Sequence, residues 1–358
     1  MTDSLNGIEK IVYTLGKLYS RYGYRRFKMG KFEEYDIYAH NKDFLISDHV
    51  ITFTDTNGKL MALKPDVTLS IVKNTAKEPL SFVNKVYYNE NVYRISGSAK
   101  TFKEIKQTGL ECIGCLTDYD VFEVLSLAKE SLNAISNNYI LDVSNMGFLN
   151  AVFCSLNLSE DAKTNLLLAF KDKNSAYALS ILNNDNIDQK NIDRILALIK
   201  MNETVQNALD ILSSKFPEKQ FKEYIAELKN VLLPLNDNRV KIDFSAINDM
   251  RYYNGIVFRG YIDNVPKAVL SGGRYDKLMQ KMGKVNSAIG FAVYPDELNV
   301  DETSKFDADV LIITNNELSV TEVKKVVDEY VNKGLSVNVQ PRFPEGMNFG
   351  EIIDLRRV

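Results

Sequence analysis

Residues 84–114, NKVYYNENVYRISGSAKTFKEIKQTGLECIG, decide how this chain is read. Two stretches rich in β-branched and aromatic residues, 84–95 and 104–114, flank the turn signal Ser96-Gly97-Ser98. That pattern predicts an antiparallel hairpin. Working towards the N-terminus, VITFTD (50–55) and LMALKP (60–65) are separated by Thr56-Asn57-Gly58, a second turn signal. Residues 24–113 therefore predict a mainly antiparallel sheet. Before it, Ile8, Ile11, Val12, Leu15, Leu18 and Tyr19 recur at helical spacing, which predicts a helix over 4–22 stopped by Gly23.

Towards the C-terminus the pattern changes. Residues 118–236 are mostly helical, with one short strand at 138–145. Strand patterns return at 239–244, 252–262 and 267–271, followed by a helical GGRYDKLMQKM and the strand SAIGFAV. The expected organisation is a core over 1–298, interrupted by a helical insertion at about 150–236. A polar linker (299–308) and a small strand-helix-strand fragment (309–358) follow. The fold class is α+β, a sheet interrupted and then completed, so residues from both halves of the chain must meet on it.

Composition narrows the chemistry. The 358 residues hold 44 Lys+Arg against 47 Asp+Glu, a formal charge of −3, which argues against broad non-specific nucleic-acid binding. His40 and His49 are the two histidines, and Cys112, Cys115 and Cys154 are the three cysteines. A histidine-rich metal site and a disulfide framework are thereby set aside, and no cofactor is expected. Cys112 and Cys115 lie three apart on a predicted strand and point to opposite faces. The start has no apolar signal segment and no run of about 18 apolar residues occurs, so a cytoplasmic protein without membrane spans is expected.

Three segments are candidates for a site. In Lys64-Pro65-Asp66-Val67-Thr68, an extended backbone would put Asp66 and Thr68 on one side, a carboxylate and a hydroxyl suited to an ammonium group. The alternative, favoured for this segment alone, is a turn with Asp66 or Thr68 capping the helix LSIVKN. Gln107, Gly109 and Glu111 share one strand face, with Gln107 and Glu111 roughly 13 Å apart. Gly109 between them leaves open floor, and a plain solvated sheet face is an equal reading. In the third segment, Tyr252-Tyr253 before Asn254-Gly255 and Gly272-Gly273 before Arg274 offer aromatic walls and close backbone approach. A hairpin with core aromatics is the alternative.

In order, YGYRRFKMGKFEEYDIY, TFTDTNGKLMALKPDVT, VYRISGSAKTFKEIKQTGLECIG, RYYNGIVF, SGGRYD and SAIGFAV resemble the catalytic core of histidyl-tRNA synthetase. The resemblance covers about residues 4–298 and implies the class II synthetase fold, an antiparallel sheet flanked by helices, usually dimeric. The fragment after 305 resembles part of an anticodon-binding domain. Carried over by position, the resemblance implies that Asp66, Thr68 and Gln107 hold the α-amino group of histidine. Glu111 and Tyr253 would hold the imidazole, Tyr252 would be a wall and Arg94 would meet the carboxylate. Gly109, Gly272, Gly273 and Arg274 would line the pocket.

The sequence also departs from the synthetase pattern, with the ATP-contacting arginines lost and the acid and hydroxyl of the amino-acid segment retained. A first-motif proline is Gly30, and Arg-Pro-Glu-Gly-Thr becomes Lys64-Pro65-Asp66-Val67-Thr68. Phe-Arg-x-Glu becomes Tyr93-Arg94-Ile95-Ser96, and a second arginine is Lys103, which lacks the planar bidentate fork. The arginine of Arg-Gly-Leu-Asp-Tyr-Tyr is Asn248, and Gly-Leu-Glu-Arg becomes Tyr294-Pro295-Asp296-Glu297. Each lost phosphate contact costs about 3 kcal/mol in a transition state, so adenylate formation is not expected. A kept amino-acid pocket with lost ATP contacts is similar to the regulatory subunits of ATP phosphoribosyltransferase. These are paralogues that join a short catalytic subunit in histidine biosynthesis and confer histidine feedback. The resemblance implies a non-catalytic, allosteric homodimer within a hetero-oligomer, with tRNA not expected as a ligand. An active ligase and a free-standing amino-acid sensor are the competing readings.

Overall fold

The computed structural model describes residues 7–41, 50–75, 82–96, 101–247, 253–298, 306–315 and 317–357. The chain divides into two compact units, Met1–Asn299 and Val300–Val358. The first unit opens with α1 (Gly7–Arg21), β1 (Arg25–Arg26), β2 (Phe32–Glu34), α2 (Asp36–Ala39), β3 (Thr52–Thr54), β4 (Leu60–Leu63) and α3 (Val67–Asn74). The hairpin strands β5 (Asn84–Ser96) and β6 (Thr101–Gly114) follow, then α4 (Asp118–Ile135) and β7 (Tyr139–Asn145). The helical insertion runs from α5 (Met146–Ser155) through α6 (Glu160–Lys171), α7 (Ser175–Asn184), α8 (Gln189–Lys200), β8 (Glu203–Thr204) and α9 (Val205–Lys215) to α10 (Lys219–Leu232). The core closes with β9 (Val240–Ile242), β10 (Ile256–Ile262), β11 (Leu270–Arg274), α11 (Asp276–Lys281) and β12 (Ser287–Val293).

Nine described strands form one sheet in the order β1-β5-β6-β12-β11-β10-β7-β9-β8. The β1–β5 and β7–β9 pairs are parallel and the others antiparallel. Chain order and sheet order differ because β12 returns from beyond the insertion to lie against β6, with β11 and β10 beyond it. The hairpin register runs from Asn84↔Ile113 to Ser96↔Thr101, opposing Tyr88 to Gly109 and Glu90 to Gln107.

One face of this sheet is packed by helices. Leu110, Phe291 and Phe258 are buried on it, with the Tyr19 ring of α1 edge-on to Phe291 at 5.9 Å. The Tyr19 hydroxyl is 2.9 Å from Ser131 Oγ of α4. The opposite face is polar along two cross-strand rows. One runs Glu111–Gly290–Gly273–Val257–Ser144 and the other Tyr88–Gly109–Ala292–Ser271–Arg259–Asp142. Alternation along each strand fixes both rows once the register is set. A second sheet, β2-β4-β3, is antiparallel and sits N-terminal to α3 in sequence.

Two expectations are corrected. Gly272, Gly273 and Arg274 belong to β11, and the helix begins only at Asp276, because Tyr275 takes a non-helical backbone (φ −132, ψ 46). Of the expected linker, 299–305 fall outside the described residues, and Ala308 begins the strand β13 (Ala308–Ile313) of the second unit. That unit continues with α12 (Val320–Asn332), β14 (Val337–Gln340) and β15 (Phe349–Asp354). Its strands form a parallel sheet in the order β14-β13-β15. Strand β15 adds to the expected strand-helix-strand unit. Its sequence, FGEIID, has too few consecutive apolar residues to announce a strand.

Candidate functional site

Glu111 is the centre of the polar face. It is 2% exposed, and its carboxylate receives the Thr68 hydroxyl at 2.7 Å and the Tyr275 hydroxyl at 2.6 Å. Burial pushes its pKa up to about 8, opposed by the two hydroxyls and reinforced by the charge of Asp66. Room for this side chain comes from Gly290 on β12, directly opposite in the register. A Cβ there would lie 1.8 Å from Glu111 Oε2 and 2.5 Å from the Leu110 carbonyl oxygen.

Asp66 and Thr68 meet the site by the capping arrangement rather than the extended one. Asp66 is the N-cap of α3, accepting the Leu69 amide at 2.8 Å, and Thr68 lies in the first turn. Arg94 of β5 reaches both neighbours, donating from Nε to the Pro65 carbonyl at 2.7 Å and from Nη2 to Asp66 at 3.5 Å. Burial raises the Asp66 pKa, while Arg94 and the Leu69 and Thr68 amides hold it down. Gln107 is 4% exposed and shares the strand face of Gly109 and Glu111. Lys64, fully buried, donates to Glu90 at 2.8 Å and ties the end of β4 to β5.

Aromatic residues close the walls. Tyr88 projects its hydroxyl over Gly109, where a Cβ would lie 2.7 Å from it, so the floor left open by Gly109 is filled by this hydroxyl. Burial raises the pKa of Tyr88 and Tyr253 well above the ordinary phenol value, with Glu111, Asp66 and Tyr294 adding to it. The Tyr253 ring lies over Gly273. Tyr294 meets Ser271 Oγ at 2.8 Å.

Asp66, Thr68, Arg94, Gln107, Glu111, Tyr253, Gly109 and Gly273 are thus brought to one face, whereas Tyr252 and Asn248 lie outside the described residues. Two expected lining residues are elsewhere. Gly272 turns to the helix-packed face, where a Cβ would strike Phe291 Cβ at 2.5 Å and Phe258 Cζ at 2.7 Å. Arg274 follows the same alternation and lines a separate cleft of about 410 Å³ with Asp118, Glu223, Tyr224, Glu227 and Asn230. The site gains Tyr88, Tyr275, Tyr294 and Gly290. The hairpin register would have yielded Tyr88, as the residue opposite Gly109; Gly290 had no local signal.

On the ATP side of the synthetase pattern, Lys103 is exposed, Asp296 accepts the Lys106 amide at 2.7 Å and Glu297 pairs with Lys267 at 3.3 Å. Cys112 is buried, with burial pushing its thiol up to about 12, and Cys115 is exposed. His40 is exposed and His49 lies outside the described residues. Among the described residues, no group of three or more His, Cys, Asp or Glu is arranged to hold a metal ion. No described helix is long and apolar enough to cross a membrane.

A cluster of buried carboxylates, an amide and tyrosines on an antiparallel sheet suits a small ligand rich in N–H donors. The family model described as histidyl-tRNA synthetase matches residues 3–298, and the chain belongs to that family. Its fold is the class II synthetase fold. An ATP phosphoribosyltransferase regulatory subunit from Bacillus thuringiensis is 24% identical over 302 residues, covering 81% of this chain and 71% of the relative, as is one from Bacillus anthracis. Among solved structures, an ATP phosphoribosyltransferase regulatory subunit/histidyl-tRNA synthetase from Bacillus halodurans superposes with TM-score 0.80 at 23% identity, covering 99% of this chain and 96% of that one. The histidyl-tRNA synthetase from Nostoc gives TM-score 0.73 at 20% identity, over 94% and 82%. An ATP phosphoribosyl transferase (HisG:HisZ) complex from Thermotoga maritima gives 0.63 at 19% identity, over 81% and 97%.

Proposed function

We propose that this chain is a non-catalytic regulatory subunit of ATP phosphoribosyltransferase. In this reading it binds histidine as feedback effector in the Glu111 pocket and activates a short catalytic subunit. It works in the cytoplasm as a homodimer within a hetero-oligomer. The names of the 24%-identical relatives support the role. The observation that carries the ligand is the buried Glu111 carboxylate beside Asp66, with the buried Gln107 on the same strand face. Two acceptors and an amide match an ammonium group and an imidazole N–H. Glu111 still has lone pairs to offer, since a carboxylate presents about four acceptor positions and two are taken. Asn248, Lys103 and Glu297, where the synthetase pattern has arginines, support the loss of adenylate chemistry.

Regulation then requires histidine to favour an inhibited arrangement of the complex over an active one, since a ligand shifts an equilibrium only by its differential affinity. Co-purification with a short ATP phosphoribosyltransferase, followed by a histidine-inhibition assay, tests the role. The expected result is activation that histidine reverses, with no histidine-dependent ATP–pyrophosphate exchange by this chain alone. Robust exchange would instead establish a ligase. In calorimetry, Glu111→Ala is expected to weaken histidine binding at least 100-fold, because the buried imidazole N–H loses the acceptor placed for it. Unchanged affinity in that variant would overturn the pocket assignment.

A further inference from the structure

Three consecutive residues face two different places. Tyr275 stands at the break between β11 and α11 with its hydroxyl on Glu111. Its neighbours Arg274 and Asp276 are bonded to each other on the other side, Arg274 Nε to Asp276 Oδ2 at 2.8 Å. This clamp fixes the backbone that aims the tyrosine. Asp276 accepts the Ala288 amide at 3.0 Å, Tyr275 donates its own amide to the Ala288 carbonyl at 2.9 Å, and the Asp276 amide donates to Asn254 Oδ1 at 2.9 Å. Arg274 has a second carboxylate partner, Glu227 of α10, at 3.7 Å. The other Glu227 oxygen accepts Asn145 Nδ2 at 2.7 Å, and Asn145 in turn caps α5. The last helix of the insertion is therefore joined to the Glu111 pocket through two charged groups and one strand end.

We propose that Glu227 and Arg274 are positioning residues for the Tyr275–Glu111 hydrogen bond, so that the helical insertion sets the affinity and proton occupancy of the pocket. The ligand arm of this proposal rests on the histidine reading above; the coupling itself does not. Groups that face or lie near Glu111 are Thr68 and Asp66 from α3, Tyr88 from β5, Tyr275 and Tyr253, with Arg94 behind Asp66. Of these, Thr68 and Tyr275 favour the charged carboxylate by donating to it, so loss of the Tyr275 bond raises the midpoint at which Glu111 ionises.

The test follows the Glu111 carboxyl carbon by NMR across pH in the full chain carrying ¹³C-glutamate, with Glu111→Gln used for assignment. Tyr275→Phe is expected to raise the midpoint by roughly one pH unit, the scale of one hydrogen bond to a charged group. Glu227→Gln, which keeps the acceptor for Asn145, is expected to raise it in the same direction by less. The double variant should match Tyr275→Phe alone, because both act through one bond. Arg274→Lys, which retains a cation for Asp276, should fall between wild type and Glu227→Gln. A midpoint unmoved by Glu227→Gln, or a double variant equal to the two shifts added, overturns the proposal even if thermal stability falls. In parallel, histidine affinity should drop several-fold in Glu227→Gln. If histidine binds no form of the chain, the ligand reading fails and the NMR midpoints still decide the coupling.

Discussion

The base and the tip of the β5–β6 hairpin are the same two strands in two environments. At the base, Gln107 and Glu111 are almost wholly buried and Glu111 is held near neutrality at physiological pH. At the tip, Glu104 is exposed, and hydrogen bonds from Asn91 and Tyr93 hold its carboxyl below the ordinary range. A carboxylate at the base is costly to charge and cannot be re-solvated, so every partner it has matters. At the tip, water substitutes for a missing partner. Asp66, Gln107 and Glu111 are buried near the base, whereas Lys103 is exposed near the tip and Glu297 is half-buried.

The largest expected effect tests the base as a low-dielectric site. Glu111 has a folded pKa of about 8 against 4.5 for the free group, so the native state holds the extra proton between these values. Its contribution to stability is greatest below about pH 4.5, declines as pH rises to 8, and is constant above. The span is on the order of 5 kcal/mol. Urea unfolding at pH 5 and pH 8.5 should show this loss in the wild type and not in Glu111→Gln. Equal slopes in both would mean the base is as well solvated as the tip.

Next comes the space that makes the base possible. Gly290→Ala places a methyl 2.5 Å from the Leu110 carbonyl oxygen, which is backbone and cannot step aside. A loss of about 2–3 kcal/mol is expected in denaturant unfolding, with weakened histidine binding because Glu111 is displaced. At the edge of the base, Asp66→Ala removes the cap of α3 and should cost about 1–2 kcal/mol. Asp66→Asn keeps an acceptor for the Leu69 amide and removes a charge that raises the Glu111 pKa, so it should lower the Glu111 midpoint by NMR.

What sequence could reveal follows the same division. The shared face of Gln107, Gly109 and Glu111 was legible because a strand alternates with period two, and 84–114 announce both strands and the turn. Asp66 was legible as a cap for the same local reason. Gly290 was not, since its need for a missing Cβ arises only when β12 returns to lie beside β6, a pairing no local pattern specifies. Arg274 and Gly272 were misplaced because GGRYD reads as the start of a helix, to which no strand alternation applies. As part of a strand, its alternation sends Gly273 to the pocket and its two neighbours to the opposite side. Tyr275 reaches the pocket only because the strand ends beside it.

The smallest effect is expected at the tip side, where the Lys267–Glu297 pair is 69% and 42% exposed and its contacts are long, at 3.3 and 3.4 Å. Two mobile side chains held in water gain little from each other. Lys267→Ala should change unfolding free energy by no more than about 0.5 kcal/mol and histidine affinity by less than twofold. The value of this weak prediction lies in its contrast with Glu111. Asp296, one residue before Glu297, accepts the Lys106 amide of β6, so a strained or tightly coupled tip would transmit the loss of Lys267 along that strand to Gln107. A calorimetric change in histidine affinity beyond twofold in Lys267→Ala would show that base and tip act as one unit. Affinity within that limit would leave the tip free to vary while the base keeps its ligand.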